Sequence, residues 1–270
     1  MKTALKDFNP LEIVFIRFFF AFILLLPIAI IKKQLHFQKK DIPHLLLISF
    51  FFAGNVLLFV YGLQFTTSIA SQLFYLLTPM LVIILSYFLL QHPIEKKHLI
   101  SIAAGFAGGL VITLRSGDTA LAQSLGNIKG NVIVIMAVCT WACYVVSSKK
   151  LSHKYSHLSI VVFVNAITAF LSVCLLIGMG QNILTSFTNA HFITLLNLCF
   201  LVVFNSILFF FLYQWALKLV KPFSVSLSSY IGLLATATLA IPLFGEKLTI
   251  QLLISTVLII FSSYMTFKKR

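Results

Sequence analysis

Nine long apolar stretches, separated by short polar joints, constrain this chain more than any other feature of its sequence. They cover about residues 11–31, 43–63, 68–91, 98–115, 130–148, 157–178, 191–214, 222–243 and 249–267. An α-helix needs about 20 apolar residues to cross the hydrocarbon layer of a bilayer, and most of these stretches reach that length. Only 10% of the residues are charged, whereas a water-soluble domain has about 25%. The sequence therefore predicts an all-α integral membrane protein with about nine transmembrane helices.

The basic residues lie in short clusters in the joints between these stretches. The clusters are Lys32-Lys33, Lys39-Lys40, Lys96-Lys97, Lys149-Lys150 and Lys268-Lys269-Arg270. Nucleic-acid-binding proteins instead gather positive charge on one face of a folded domain, so the net charge of +14 does not predict a nucleic-acid partner. If successive stretches cross the membrane in alternating directions, most of the 20 Lys and Arg residues share one side with the C-terminus. By the positive-inside rule, the sequence predicts a multi-pass protein of a bacterial inner membrane with a cytoplasmic C-terminus.

Weak matches between the two halves of the chain indicate an internal repeat. A shift of 148 residues places Lys2 and Lys6 on Lys150 and Lys154, and a shift of 154 places residues 99–101 on residues 253–255. The repeat unit has five spans, and because five is odd, the two copies cross the membrane in opposite senses. We expect a first repeat at residues 1–125 and a second at residues 126–270. The first repeat lacks its first helix, which indicates a ten-helix parent.

Several motifs then occur in a consistent order along the chain. They are N-P-L-x(5)-R-F-x(2)-A at residues 9–21, Y-G-L-Q-F-T-T-S-I-A-S-Q-L-F-Y-L-L-T-P at 61–79, W-A-x-Y at 141–144, A-L-K at 216–218 and G-E-x-L-T at 245–249. In order and spacing they resemble the EamA-type transporters of the drug/metabolite transporter superfamily. The sequence departs from the family pattern at His92, where the first repeat would carry the glutamate, and at Leu233, where the second would carry a proline.

The resemblance implies a fold and a function. The resemblance implies two five-helix repeats that cross the membrane in opposite senses. In this chain, the first repeat would hold helices 2–5 of the family pattern and the second would hold helices 6–10. The resemblance also implies transport of a metabolite or drug, without naming the molecule.

Arg17 is the most unusual residue, because it lies about six residues inside the first apolar stretch. A charge in the membrane is costly and needs a partner or a function. One reading is that Arg17 faces a cavity and holds a carboxylate or phosphate of a substrate. The other is that it extends to the outer interface or braces a neighbouring carbonyl. The sequence leaves both open. The residue that corresponds to Arg17 in the second repeat is Asn165.

Other polar and aromatic side chains recur at helical spacing inside the apolar stretches, as at Ser68, Gln72, Tyr75 and Pro79. As a set they predict a polar-lined pathway, although any single one could instead join neighbouring helices. The predicted substrate-binding residues are Arg17, Asn55, Gln72, Tyr75, Trp141, Tyr144, Asn165, Asn205, Ser229 and Tyr230. Among these, the aromatic residues could stack on a ring or a cation. Gly105 and Gly109 form a G-x-x-x-G pair, which predicts close helix packing.

All six acidic residues lie at the ends of the apolar stretches or between them. Proton-coupled carriers usually keep a carboxylate in mid-membrane, and the sequence has no ATP-binding motif. We therefore expect a secondary transporter that works by alternating access, through facilitated diffusion or exchange. The expected substrate is a small polar or amphiphilic metabolite, such as an amino acid or a nucleoside-like molecule.

Two other functions stay open at the level of sequence. A chain without the first helix could be a non-transporting membrane scaffold. An integral-membrane enzyme acting on lipid would need a cluster of acid/base or metal-binding residues, and the sequence shows none. No enzyme activity, cofactor or metal is therefore predicted, and a homodimer is compatible with the sequence.

Overall fold

The computed structural model describes residues 7–66, 68–113, 127–180, 190–235 and 250–267, and these are helical with short connections. The helices are α1 (Pro10–Ile31), α2 (Ile42–Gly62), α3 (Ser68–Tyr75), α4 (Thr78–Leu90), α5 (Lys96–Thr113), α6 (Ile128–Lys154), α7 (His157–Gly178), α8 (Phe192–Phe200), α9 (Phe210–Leu219), α10 (Pro222–Ala235) and α11 (Ile250–Phe267). A 3₁₀ turn at Lys39–Asp41 precedes α2. No strand occurs in the described ranges, so the all-α prediction is confirmed there.

Five helices of the described part are long and apolar enough to cross a membrane. They are Pro10–Ile31, Lys39–Gly62, Ile128–Lys154, His157–Gly178 and Phe192–Leu219. Large apolar side chains remain exposed on them, including Ile31 at 80% and Phe192 at 80%. Such surface is costly in water and favourable in lipid.

The third predicted stretch is two helices rather than one. Helix α3 ends at Tyr75 and α4 begins at Thr78, with a turn in which the Leu77 N–H donates to the Phe74 carbonyl at 3.0 Å. Pro79 has no N–H, so the carbonyl of Tyr75 cannot receive the usual helical bond there. The sequence at Pro79 thus accounts for the break.

The seventh predicted stretch is one continuous helix from Phe192 to Leu219, but the number of residues per turn changes along it. Residues Leu201–Phe209 between α8 and α9 form a π-helix. A π-helical segment has one residue more than the α-helix that it replaces, and such segments occur frequently at functional sites.

Two helix starts follow local sequence signals. Pro10 opens α1, and the carboxylate of Glu12 accepts a hydrogen bond from the N–H of Asn9 at 2.8 Å. At α7, the Ser156 hydroxyl accepts from the N–H of Ser159 at 3.1 Å. Both satisfy an N–H group that the first turn of a helix leaves without a partner.

The chain forms two compact units. The first unit is Met1–Tyr61 with Ser147–Leu219, and the second unit is Gly62–Val146 with Val220–Arg270. Each unit thus combines a stretch from the first half of the sequence with a stretch from the second half.

Within the first unit, α1 packs on α7 and on the π-helix. Three aromatic rings fill the contact between α1, α2 and α9. Phe52 stands edge-on to Phe18 at a centroid distance of 5.3 Å and edge-on to Phe210 at 4.6 Å. Such edge-to-face pairs stabilise a packed core beyond the apolar area that they bury.

A polar network in the first unit joins the connection after α1 to the connection between α6 and α7. The carboxylate of Asp41 accepts hydrogen bonds from Lys154 and from the Tyr155 hydroxyl. The side-chain oxygen of Gln34 accepts from the Ser156 hydroxyl at 2.8 Å. This network fixes the two connections to each other.

Within the second unit, α5 packs on α11 through glycine and serine. A Cβ added at Gly105 would lie 2.2 Å from the Tyr230 ring, and one added at Gly109 would lie 2.5 Å from Leu76. The close packing predicted for the G-x-x-x-G pair is therefore confirmed. Ser101 and Ser262 each donate a hydrogen bond to the main-chain carbonyl of the other, both at 2.7 Å.

Candidate functional site

Arg17 is held inside the first unit by two side chains of the π-helix. Its Nη2 donates to Oδ1 of Asn205 at 2.5 Å, and its Nε donates to Oγ of Ser206 at 3.2 Å. Arg17 is 4% exposed and Ser206 is fully buried, whereas Asn205 lies at an exposed edge of the helix. The guanidinium therefore turns into the unit and does not extend to its surface.

The two bonds use adjacent donors on one edge of the guanidinium. Nε–H and Nη2–H point in the same direction in a planar group, which is the arrangement that two oxygens of a carboxylate match. Asn205 and Ser206 follow each other in sequence, and the π-helix brings an oxygen of each to this edge. Asn205 was among the predicted residues and Ser206 was not, because a serine in a membrane helix is too common to stand out.

Asn165 lies on α7 and is 1% exposed. Neither its Nδ2 nor its Oδ1 has a hydrogen-bond partner among the described residues. Its neighbours on the same face are satisfied within the helix. Thr168 donates to the Val164 carbonyl at 2.8 Å and Ser172 donates to the Thr168 carbonyl at 2.7 Å. An amide buried in this way presents two donors and an acceptor to whatever polar group reaches it.

The remaining predicted residue of the first unit is Asn55, a buried amide on α2. A further polar pair of the first unit, Ser148 and Gln214, was not among the predicted residues. Gln214 on α9 is 1% exposed, and its Nε2 donates to the Ser148 hydroxyl at 2.8 Å. Gln214 could have been recognised in the sequence, because it is an amide side chain inside an apolar stretch.

In the second unit, Trp141 and Tyr144 form a ring pair on α6. Their centroids lie 5.2 Å apart with an interplanar angle of 31°. Both side chains are buried. The i, i+3 spacing that selected them in the sequence therefore brings them into contact.

The other predicted residues of the second unit differ in exposure. Gln72 on α3 is exposed, while Tyr75 on α3 and Ser229 on α10 are half-buried. The side chain of Ser68, which belongs to the predicted stripe, lies outside the described residues, as does the G-E-x-L-T motif at 245–249.

Tyr230 is 1% exposed and packs its ring against Gly105. Its hydroxyl donates to the Leu76 carbonyl at 3.2 Å, at the break between α3 and α4. Thr78 follows this break, and its buried hydroxyl has no partner within the ranges that the structure covers. Discontinuous helices supply binding groups in several transporter folds.

The structure therefore brings together Arg17 with Asn205 in the first unit and Trp141 with Tyr144 in the second. Among the residues described, no group of three His, Cys, Asp or Glu side chains could hold a metal ion. The described candidate residues are a guanidinium, amides and hydroxyls in the first unit, and chiefly aromatic rings in the second. Such groups bind a polar solute by hydrogen bonds and stacking.

Comparison with known proteins identifies the family. The sequence profile of the EamA-like transporter family matches residues 1–114 and 128–268. The chain therefore belongs to the EamA-like transporter family, as its motifs predicted. Membership makes it a multi-pass membrane protein related to transporters.

Three relatives are described as uncharacterized transporters. YetK of Bacillus subtilis is 39% identical over 131 residues, which are 47% of this chain and 38% of that protein, so the match spans well under two thirds of YetK. A protein of Archaeoglobus fulgidus is 26% identical over 100% of this chain and 92% of its own length. One of Clostridium kluyveri is 24% identical over 96% of this chain and 84% of its own.

One solved crystal structure shares the fold. It superposes with a TM-score of 0.78 and covers 98% of this chain and 90% of that chain. Its sequence is 16% identical, so the likeness concerns the fold alone.

Proposed function

We propose that this EamA-like chain is a secondary transporter, not an enzyme, that moves a small polar or amphiphilic metabolite across a bacterial inner membrane. An amino acid or a nucleoside-like molecule has the size and polarity that we assign to the substrate. The family and its transporter relatives support the general function. The side chains support the class of substrate.

The observation that carries the proposal is the buried amide of Asn165. Both of its polar atoms lack a hydrogen-bond partner in the described part of the chain. Leaving a buried polar group unsatisfied costs about 1–3 kcal/mol. A polar solute that reaches α7 would recover this energy, and an apolar one would not.

The proposed architecture has about nine transmembrane helices in two inverted repeats, residues 1–125 and 126–270, with a cytoplasmic C-terminus. The positions of Arg17 and Asn165 support it. Both lie in helices of 22 residues, Arg17 seven residues after Pro10 and Asn165 eight residues after His157. Equivalent polar residues at equivalent depths are what a repeat predicts. In alternating access, one repeat would move against the other, so that the substrate site opens first to one side of the membrane and then to the other.

Facilitated diffusion or exchange is the proposed mode of transport. Four acidic residues are described, and all of them lie before a helix or in its first turn. They are Asp7, Glu12, Asp41 and Glu95. Mid-membrane carboxylates usually carry the proton in coupled carriers, and those four residues do not supply one.

The test is counterflow in proteoliposomes. Vesicles are loaded with a mixed panel of isotopically labelled amino acids, nucleosides and organic acids, and exchange with external unlabelled compounds is read by mass spectrometry. We expect exchange of a defined metabolite, and at least about a tenfold loss in Asn165→Leu, which corresponds to about 1.4 kcal/mol.

The matched control is Asn197→Leu on α8. The amide of Asn197 donates to the Ile193 carbonyl of its own helix at 2.8 Å, so its loss should change exchange by less than about twofold. A folded wild-type protein that exchanges nothing in the panel would contradict the proposal and favour a non-transporting scaffold. Equal exchange by wild type and Asn165→Leu would remove Asn165 from the site.

A further inference from the structure

We infer that the transported molecule carries a carboxylate or phosphate group, and that this group binds Arg17 by replacing the oxygens of Asn205 and Ser206. The inference rests on the proposed transport function and narrows its substrate class. It favours an amino acid or another organic anion over a neutral nucleoside.

The geometry at the guanidinium of Arg17 matches that of a bound anion. Oδ1 of Asn205 on Nη2 and Oγ of Ser206 on Nε occupy the two parallel donors of one edge. The two oxygens of a carboxylate, or two oxygens of a phosphate, bind the same edge of an arginine side by side. The protein thus supplies, from two separate side chains, the pair of oxygens that an anion supplies from one group.

The charge of Arg17 also favours an anion over its present acceptors. An arginine guanidinium keeps its positive charge in proteins. The oxygens that Asn205 and Ser206 offer to Arg17 carry no formal charge. Hydrogen bonds between two ionised groups are shorter and about twice as strong as bonds between neutral groups. An arriving anion therefore competes favourably for this edge, whereas a neutral amide or alcohol gains nothing over the acceptors already present.

The π-helix suggests how the two acceptors would leave Arg17. Both lie on the π-helix Leu201–Phe209, and Asn205 lies at its exposed edge. Conversion of a π-helix to an α-helix turns the residues after the change relative to their neighbours, because the two helices differ in residues per turn. Such a turn would withdraw both oxygens from Arg17 together.

The experiment adds a fixed competitor for the anion. Asn205→Asp places a carboxylate where the Asn205 amide now accepts from Arg17. If the inference is correct, this internal carboxylate occupies the guanidinium and lowers exchange of anionic substrates by at least about tenfold. If Arg17 is only a structural residue, the new ion pair should leave exchange unchanged.

The control is Asn197→Asp, which adds the same charge to the same span eight residues earlier. It should retain exchange within about twofold, because the side chain of Asn197 lies against the Ile193 carbonyl of its own helix and does not bond to Arg17. Circular dichroism and gel filtration in detergent establish that each variant is folded.

The panel pairs each carboxylic acid with its primary amide and each phosphate monoester with the parent alcohol. We expect the wild type to exchange acids or phosphates and to reject their neutral partners. Exchange of one anion class alone still supports the inference and identifies the group.

Two results would overturn it, and they are distinguishable. Exchange of the neutral partners at the same rate as the acids, with no loss in Asn205→Asp, refutes anion binding and leaves the transport function standing. No exchange of any compound by folded wild type refutes both.

Discussion

The hydroxyl of Tyr230 donates a hydrogen bond to the main-chain carbonyl of Leu76, 3.2 Å away, at the point where the third predicted span is broken into α3 and α4. A carbonyl at the end of a helix needs a partner from outside that helix. In the second unit, Tyr230 supplies it, and the same ring fills the space left by Gly105. The break in one helix is thus stabilised by a side chain from another.

Tyr230→Phe should destabilise the protein by about 1–2 kcal/mol, because a buried carbonyl loses its hydrogen bond while the ring packing is kept. The measurement is the free energy of unfolding in mixed micelles of detergent and sodium dodecyl sulfate. Tyr87→Phe is the control, since Tyr87 is 50% exposed. Equal stability of Tyr230→Phe and wild type would show that the Leu76 carbonyl does not depend on this bond.

Gly105→Ala should destabilise by about 1–3 kcal/mol. Its new methyl group would lie 2.2 Å from the Tyr230 ring and 2.9 Å from the Ser262 hydroxyl, which forces the helices apart. Gly232→Ala is the matched control, because nothing lies within 4 Å of a Cβ at that position. Its expected effect is neutral or slightly stabilising, since alanine favours the helix. The same unfolding assay compares the two, and an unperturbed Gly105→Ala would contradict the close packing of α5.

Ser262→Ala should cost about 0.6–1.7 kcal/mol, the range measured for hydrogen bonds between membrane helices. Ser262 donates across to the Ser101 carbonyl at 2.7 Å, whereas its neighbour Ser263 donates to the Ile259 carbonyl of its own helix at 3.1 Å. Ser263→Ala should therefore have a smaller effect. If both substitutions lower the melting temperature equally, the bond between α5 and α11 contributes no more than a bond within a helix.

The hydrogen bonds to the Asp7 carboxylate should make the stability of the folded protein depend on pH. The Thr194 hydroxyl at 2.6 Å and the N–H of His191 at 3.1 Å donate to its carboxylate, and these bonds hold the pKa of Asp7 below its ordinary value. A carboxyl pKa that folding lowers stabilises the folded state above the unfolded pKa, and this contribution is lost as the pH falls through the folded pKa.

The melting temperature of the wild type should therefore fall further between about pH 6 and about pH 3 than that of Asp7→Asn. His191→Gln keeps the main-chain N–H and leaves Thr194 in place, so it should retain most of the wild-type pH dependence. Identical pH profiles for the wild type and Asp7→Asn would refute the assignment.

Local sequence patterns predicted part of this structure for physical reasons. The apolar stretches predicted helices because a helix satisfies its backbone hydrogen bonds within one segment in lipid and needs about 20 apolar residues to cross. Gly105 and Gly109 predicted a close contact because small residues let helices approach each other. The i, i+3 spacing of Trp141 and Tyr144 also placed their rings next to each other on one helix face. Each of these depends on neighbours along one helix.

Partners across the chain could not be predicted in the same way. Arg17 and Asn205 were both recognised as polar residues in apolar stretches, yet they are separated by 188 positions and nothing in either stretch pairs them. The π-helix at Leu201–Phe209 has no composition that distinguishes it from an α-helix, since its residues are mostly aliphatic and aromatic. Tyr230 was selected as an aromatic residue, and only the fold reveals its bond to Leu76.

The composition of the two units sets an order for synthesis. Met1–Tyr61 reaches its packing partners only when Ser147–Leu219 has been made, and Gly62–Val146 waits for Val220–Arg270. Early helices must therefore enter the bilayer and persist there before their partners emerge from the ribosome. Their buried polar groups, Arg17 above all, stay without the contacts from Asn205 and Ser206 for that interval. For this chain, a stop in synthesis after the first half therefore leaves both units incomplete at once.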